Sequence, residues 1–256
     1  MKRSVKKVKK KEKGQISIFI IIAIIIVVII AIFLIARGGV KLGSGITNPT
    51  VAPVYSFVDS CGKETLEDAV YYVGQSGGYF NIPDKTTETG IAYYFYDGEN
   101  LMPTKEKVES EISAYINNMM FLCTKEFSDF PDLAINESEI TSKVSIEDNK
   151  VIADIEYPIT ITKGGKTYSI KDFNDIEFPS RLGVIYGVAN ASIQEQLLHP
   201  SQICISCVNN LAVEKNLYFE LNEYDNQTVI FSIIDKTLPV LNESYRFNFA
   251  NKYPNK

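Results

Sequence analysis

Nineteen consecutive apolar residues, Ile18 to Ala36, follow a tip in which eight of the first thirteen residues are basic. At about 1.5 Å rise per residue, such a run reaches roughly 28 Å as a helix, close to the ~30 Å hydrocarbon core of a bilayer. No other stretch constrains the chain as much, because a segment this apolar has to leave water. The pattern predicts a transmembrane helix over residues 15–37, with the lipid bilayer as its partner. Upstream stand Lys2, Arg3, Lys6, Lys7, Lys9, Lys10, Lys11 and Lys13, with Glu12 the single acid; downstream only Arg37 and Lys41 follow closely. Lysine and arginine resist translocation, so the expectation is a single-pass protein with residues 1–14 cytoplasmic and the C-terminal part outside. A cleaved secretory signal would have a shorter apolar region and a small-x-small cleavage site, and this chain has neither. The tip is expected to hold to anionic headgroups, at about 1 kcal/mol per basic residue near the surface, rather than to nucleic acid.

At the junction the chain reads Lys13-Gly14-Gln15-Ile16-Ser17-Ile18-Phe19. This resembles the class III signal of archaeal type IV pilin-like proteins, over about twenty-five residues. The resemblance implies a prepilin-type peptidase that cuts after Gly14 and leaves Gln15 as the mature N-terminus. Many pilins carry a glutamate at the fifth mature position, where this chain has Phe19, and in the family that acid helps subunits dock into a filament. The whole-chain pattern, an Ile-rich span before a cysteine-bearing outer domain, also looks like single-pass surface proteins of small-genome (DPANN-type) archaea.

Gly38, Gly39, Gly43, Gly45, Pro49 and Pro53 fall within sixteen residues. That density ends the helix near Arg37 and predicts a flexible linker over 38–53, unlike the unbroken membrane helix of pilins. Residues 54–256 then form the outer domain, long enough for one substantial core. The net charge is −5, yet residues 1–13 hold eight basic side chains against one acid, so the remainder carries −12. An acidic domain disfavours nucleic acid and anionic membranes as partners.

The domain reads as α+β. Phe57, Val58, Cys61, Ala69, Val70 and Val73 recur at helical spacing, closed by Gly74 and Gly77-Gly78. After an aromatic strand at Ile91 to Tyr96, Pro103-Thr104 opens a second helix with the stripe Val108, Ile112, Tyr115, Met119, Leu122, Cys123 and Phe127. The period then changes to two: Val144 to Ile146 and Val151 to Tyr157 form one pair of strands. Ile159 to Thr162 and Thr167 to Ile170 form another around Gly164-Gly165, a pair that tolerates the positive φ of a tight hairpin. Pro158 marks a bend or an edge. Further helices are expected at Ser180 to Leu198 and Val208 to Lys215, and strands at Leu217 to Glu223, Thr228 to Asp235 and Tyr245 to Ala250. Consecutive hairpins predict an antiparallel sheet with helices packed on one face.

Chemistry is sparse. Four cysteines lie in the part of the chain placed outside the cytoplasm, where disulfides persist. Cys61 and Cys123 both sit in apolar helix stripes and are expected to pair, while Cys204-Ile205-Ser206-Cys207 is expected to close a local disulfide. A thiol–disulfide oxidoreductase using Cys204 and Cys207 is the enzymatic alternative, but such a pair follows a strand and opens a helix, whereas this one follows a helix end and a turn. His199, Cys204 and Cys207 supply three metal ligands where structural zinc takes four, so no metal is expected. His199 is the only histidine, which removes most hydrolase schemes; no catalytic residue and no cofactor is assigned. Asn136, Asn190, Asn226 and Asn242 each begin an Asn-x-Ser/Thr sequon, a candidate glycosylation site, with Asn226 at an expected hairpin tip. Tyr93-Tyr94-Phe95-Tyr96 offers either a stacking surface or core packing. The functional expectation is a membrane-anchored surface protein with a structural, binding or envelope role and an envelope or surface protein as partner. A pilin-like filament or secretion-machinery subunit is the alternative.

Overall fold

The computed structural model describes residues 48–203 and 205–254, apart from the side chain of Cys207. The basic tip, the Gly14–Gln15 junction, the span at 15–37 and the linker as far as residue 47 lie outside them. Among the described residues no helix is long and apolar enough to cross a membrane. One compact unit begins at Asn48. The Asn48 Oδ1 accepts from the Thr50 N–H at 2.9 Å and its carbonyl from Ala52 at 3.0 Å, so the chain is already turning into helix α1 (Ala52–Gln75). Pro53, read as linker, sits in the first helical turn, where its missing N–H has no partner to lose.

Helix α1 is the spine. Toward its start, Tyr55 stacks on Phe173 at 4.8 Å, and Gly62 lies against the ends of Ile155 and Ile176. Toward its end, the Tyr245 hydroxyl donates to the Val70 carbonyl at 3.0 Å, and a Cβ added at Gly74 would stand 2.7 Å from the Arg246 carbonyl oxygen. These contacts belong to two different sheets. The helix stops where Gly77 (φ 73°) and Gly78 (φ 86°) take left-handed angles and the Gly78 N–H reaches back to the Val73 carbonyl at 2.7 Å.

Strands β1 (Tyr93–Tyr96) and β2 (Glu99–Asn100) lead to α2 (Lys105–Thr124), whose N-cap Thr104 accepts from the Lys107 N–H at 3.2 Å. The buried positions of α2 are Val108, Ile112, Ile116, Met120 and Thr124, with Glu111 beside them, while Leu122 is 58 % exposed. The expected stripe mixed steps of three and four, as a coiled-coil seam does; the helix instead buries one row in steps of four, which turns Met119 and Leu122 outward.

Strands β3 (Ala134–Glu137), β4 (Thr141–Ile146), β5 (Lys150–Lys163) and β6 (Lys166–Pro179) form one sheet, with β3 and β4 along one edge of β5 and β6 along the other. β5 runs unbroken through Pro158, where its pairing with β6 shifts register, and Gly164 and Gly165 (φ 57° and 76°) make the hairpin turn. Helices α3 (Leu182–Leu198) and α4 (Ile205–Glu214) follow. β7 (Tyr218–Glu223), β8 (Thr228–Val240) and β9 (Glu243–Lys252) complete a second sheet in the order β2-β1-β9-β8-β7. The architecture is α+β, but the single antiparallel sheet expected from consecutive hairpins is two sheets, and β1 runs parallel to β9. Nor do the helices share one sheet: α2 packs on β4, α1 on both β6 and β9, and α3 and α4 on β1 and β7.

Candidate functional site

A cleft of about 760 Å³ opens between α3, the end of α4 and the turn joining β4 to β5. Close approach builds one wall: a Cβ added at Gly183 would stand 2.4 Å from the Glu147 carbonyl oxygen, so only glycine lets that turn pack on the helix. Ser180 anchors the same corner, donating its N–H to the Asn149 carbonyl and accepting the Leu182 N–H on its hydroxyl at 3.2 Å each. The floor is small and apolar, from Val184, Gly187, Val188 and Ala191, and a Cβ added at Gly187 meets nothing within 4 Å. Leu211 faces it from α4.

The rim carries both signs, with Asp148 and Glu214 beside Arg181 and Lys215. Arg181 is committed to the fold. Its Nη1 lies 3.3 Å from the fully buried Asp235 Oδ1 and donates to the Asn216 carbonyl at 3.4 Å, while Nη2 donates to the Lys215 carbonyl. Asp235 Oδ1 also accepts from the Thr237 N–H and hydroxyl at 2.8 and 2.6 Å, and its Oδ2 has no hydrogen-bond partner. The arginine thus ties the start of α3, the turn after α4 and the middle of β8 to one point. Among the described residues no histidine, cysteine, serine or threonine lines the cleft, and the arrangement offers an apolar floor and a charged rim for non-covalent contact. Among the described residues no three His, Cys, Asp or Glu side chains are grouped to hold a metal ion.

The aromatic strand is spent inward. Tyr94 and Phe95 are fully buried; Tyr94 stacks on Phe249 at 4.8 Å and donates to the Gly77 carbonyl at 3.1 Å, and burial pushes its hydroxyl far above the usual tyrosine range. Only Tyr96 keeps a half-open ring, already covered by two ammonium groups, Lys85 at 4.4 Å and Lys252 at 4.6 Å. The hydrogen bond from Lys252 to the Tyr96 hydroxyl, 3.0 Å long, holds that lysine above its ordinary value.

Of the residues singled out by sequence, Cys61 and Cys123 form a disulfide between α1 and α2, with Cα atoms 5.6 Å apart. The expected Cys204–Cys207 bridge lies outside the described residues, as do Gly14 and Gln15. The chain entering that pair is the end of α3 and a turn, held by Gln196, whose amide donates to the His199 and Gln202 carbonyls at 2.9 and 2.8 Å. His199 is exposed beside Pro200. Asn136, Asn190, Asn226 and Asn242 are far apart in sequence, and all four are exposed. Sequence reasoning missed Arg181 and Asp235. The available signal was the acid that ends the apolar run Val229-Ile230-Phe231-Ser232-Ile233-Ile234, since a buried carboxylate needs a cationic partner.

No protein-family model, curated protein or solved structure matches the chain.

Proposed function

We propose that this chain is a membrane-anchored protein whose disulfide-bonded α+β domain stands outside the cytoplasm and acts by binding, in an envelope or surface role, rather than by catalysis. The Cys61–Cys123 disulfide carries the reading: it links two helices across 62 residues of chain, and such bonds persist in oxidising compartments. The lysine-rich tip and the nineteen-residue apolar run supply the anchor and the orientation. The cleft beside Arg181 is the preferred binding region, because it combines an apolar floor with charges of both signs. Processing by a prepilin-type peptidase after Gly14 belongs to the same reading.

Protease added to intact cells tests the placement. The domain is expected to be cleaved while a cytoplasmic marker survives, and protection of the domain in intact cells would sink the proposal. The intact mass of the mature protein tests the processing. A start at Gln15 supports the peptidase, and a start at Met1 removes it while leaving the anchor in place.

A further inference from the structure

We infer that the domain carries N-linked glycans on Asn136 and Asn242, while the sequons at Asn190 and Asn226 stay bare. The inference rests on the outward placement proposed above, since this modification belongs to exported surfaces. In the Asn-x-Ser/Thr acceptor the asparagine amide attacks while the hydroxyl residue two positions on is gripped by the transferase. Both side chains must therefore be reachable at once. All four asparagines are exposed, so the hydroxyl residue decides.

At the Asn190 sequon, Ser192 is 4 % exposed and its hydroxyl donates to the Val188 carbonyl at 2.7 Å inside α3. At Asn226, Thr228 is 1 % exposed, with its hydroxyl 3.3 Å from that of Tyr93 and its N–H held by Asp225 at 2.7 Å. A transferase reaching either hydroxyl has to unwind a helix or pull β8 from its sheet. Ser138 and Ser244, by contrast, are exposed. Asn136 lies in β3, which is already extended and pairs with β5 alone, and Asn242 sits at the turn between β8 and β9 with φ 63°.

In the transfer step the asparagine amide nitrogen bonds to the anomeric carbon of a lipid-linked glycan. The bond from that carbon to the lipid diphosphate oxygen breaks, its electron pair leaves with the diphosphate, and the amide proton passes to a base of the transferase. A glycan on Asn136 would also cover the outer edge of β3, where unpaired backbone groups otherwise invite strand addition.

Peptide masses of the protein purified from its own membranes test this. Cleavage after lysine and arginine places the four sequons on four separate peptides, bounded by Lys125 and Lys143, Arg181 and Lys215, Lys215 and Lys236, and Lys236 and Arg246. The peptides with Asn136 and Asn242 are expected to be heavier by a glycan, and those with Asn190 and Asn226 to have the bare mass. Asn136→Gln and Asn242→Gln should each remove one glycan mass from the intact protein. Bare peptides at both positions, in protein that external protease still cleaves, would overturn the inference and leave the proposed placement standing. Glycan on Asn190 or Asn226 would also overturn it, because transfer would then precede folding.

Discussion

In the sheet of β3 to β6, Val151, Ala153, Ile155, Tyr157, Ile159 and Ile161 of β5 are buried and the residues between them face outward; in the sheet of β1, β2 and β7 to β9, Phe231 to Asp235 are buried without a break. A strand solvated on one face writes its burial into the sequence as alternation. A strand covered on both faces needs apolar side chains on one side and internally satisfied polar groups on the other. The second sheet meets that need with a column of rings, Phe231 stacked on Phe249 at 5.2 Å and Phe249 on Tyr94 at 4.8 Å. On its opposite face the Ser232 hydroxyl donates to the Asn248 Oδ1 at 2.7 Å, and the Asn248 amide donates to the Gln75 Oε1 at 3.1 Å.

The contrast breaks most easily at the ring column. Phe249→Ala is expected to cost about 4 kcal/mol by urea unfolding, from lost burial and the cavity left between two neighbouring rings. A loss below about 2 kcal/mol would mean that the column relaxes and is not the centre of that sheet. Asp235→Ala removes the buried partner of Arg181 and should cost about 3 kcal/mol in the same assay. A neutral result would show that the two backbone carbonyls alone can hold the guanidinium.

Glu111 comes next. It is 2 % exposed; its Oε2 accepts from the Asn81 and Phe80 N–H groups at 2.7 and 3.0 Å, and Lys107 lies 2.6 Å from Oε1, so it fastens the loop between α1 and β1 to α2. Burial alone would raise this carboxyl, but Lys107 and the two N–H groups outweigh it and hold it below the usual glutamate value. The folded state therefore binds fewer protons there than the unfolded chain. The stabilisation is complete above the ordinary glutamate range and fades as pH falls through the lowered folded value. Glu111→Gln is expected to cost about 2 kcal/mol at neutral pH and to flatten this part of the acid-unfolding profile. An unchanged profile would reassign the acid sensitivity to other carboxylates. The smallest effects compare the polar face of each sheet, buried in one and solvated in the other: Ser232→Ala should cost about 1 kcal/mol, and Thr162→Ala less than about 0.5 kcal/mol. Equal values would erase the distinction between the sheets.

The same distinction governs what could be read beforehand. The alternation on either side of Pro158, though not its continuity into one strand, the Gly164-Gly165 hairpin and the helices at Thr104 and Ser180 were legible because each depends on neighbours in sequence. The second half of β6 was not. Ile170, Phe173 and Ile176 all face the core at spacing three, since one register shift, with Asp175 in the left-handed region (φ 55°), puts an extra residue into β6 between Phe173 and Ile176, and a second puts one into β5 beside Pro158, opposite Ile170 to Asp172; together they hide the period of two. The parallel pairing of Tyr93 with Ala250 was also hidden, because it joins segments that local pattern cannot relate. At the candidate cleft the small floor of α3 reads as plain apolar helix. The Arg181–Asp235 pair spans 54 residues, with only an acid in an apolar run to announce it.

The link between α1 and α2 also sets how the domain would bear a pull. Tension arriving from upstream of Asn48 enters through α1 and meets Cys61 within three turns of the helix start, and from there a covalent bridge carries it to Cys123. Residues 62–122 fall outside the loaded path. The later turns of α1, both short strands of the aromatic sheet and nearly all of α2 therefore stay slack while the first helical turns and the segment beyond Cys123 take the strain. Reduction of one bond would put the whole of that sheltered loop in line with the force.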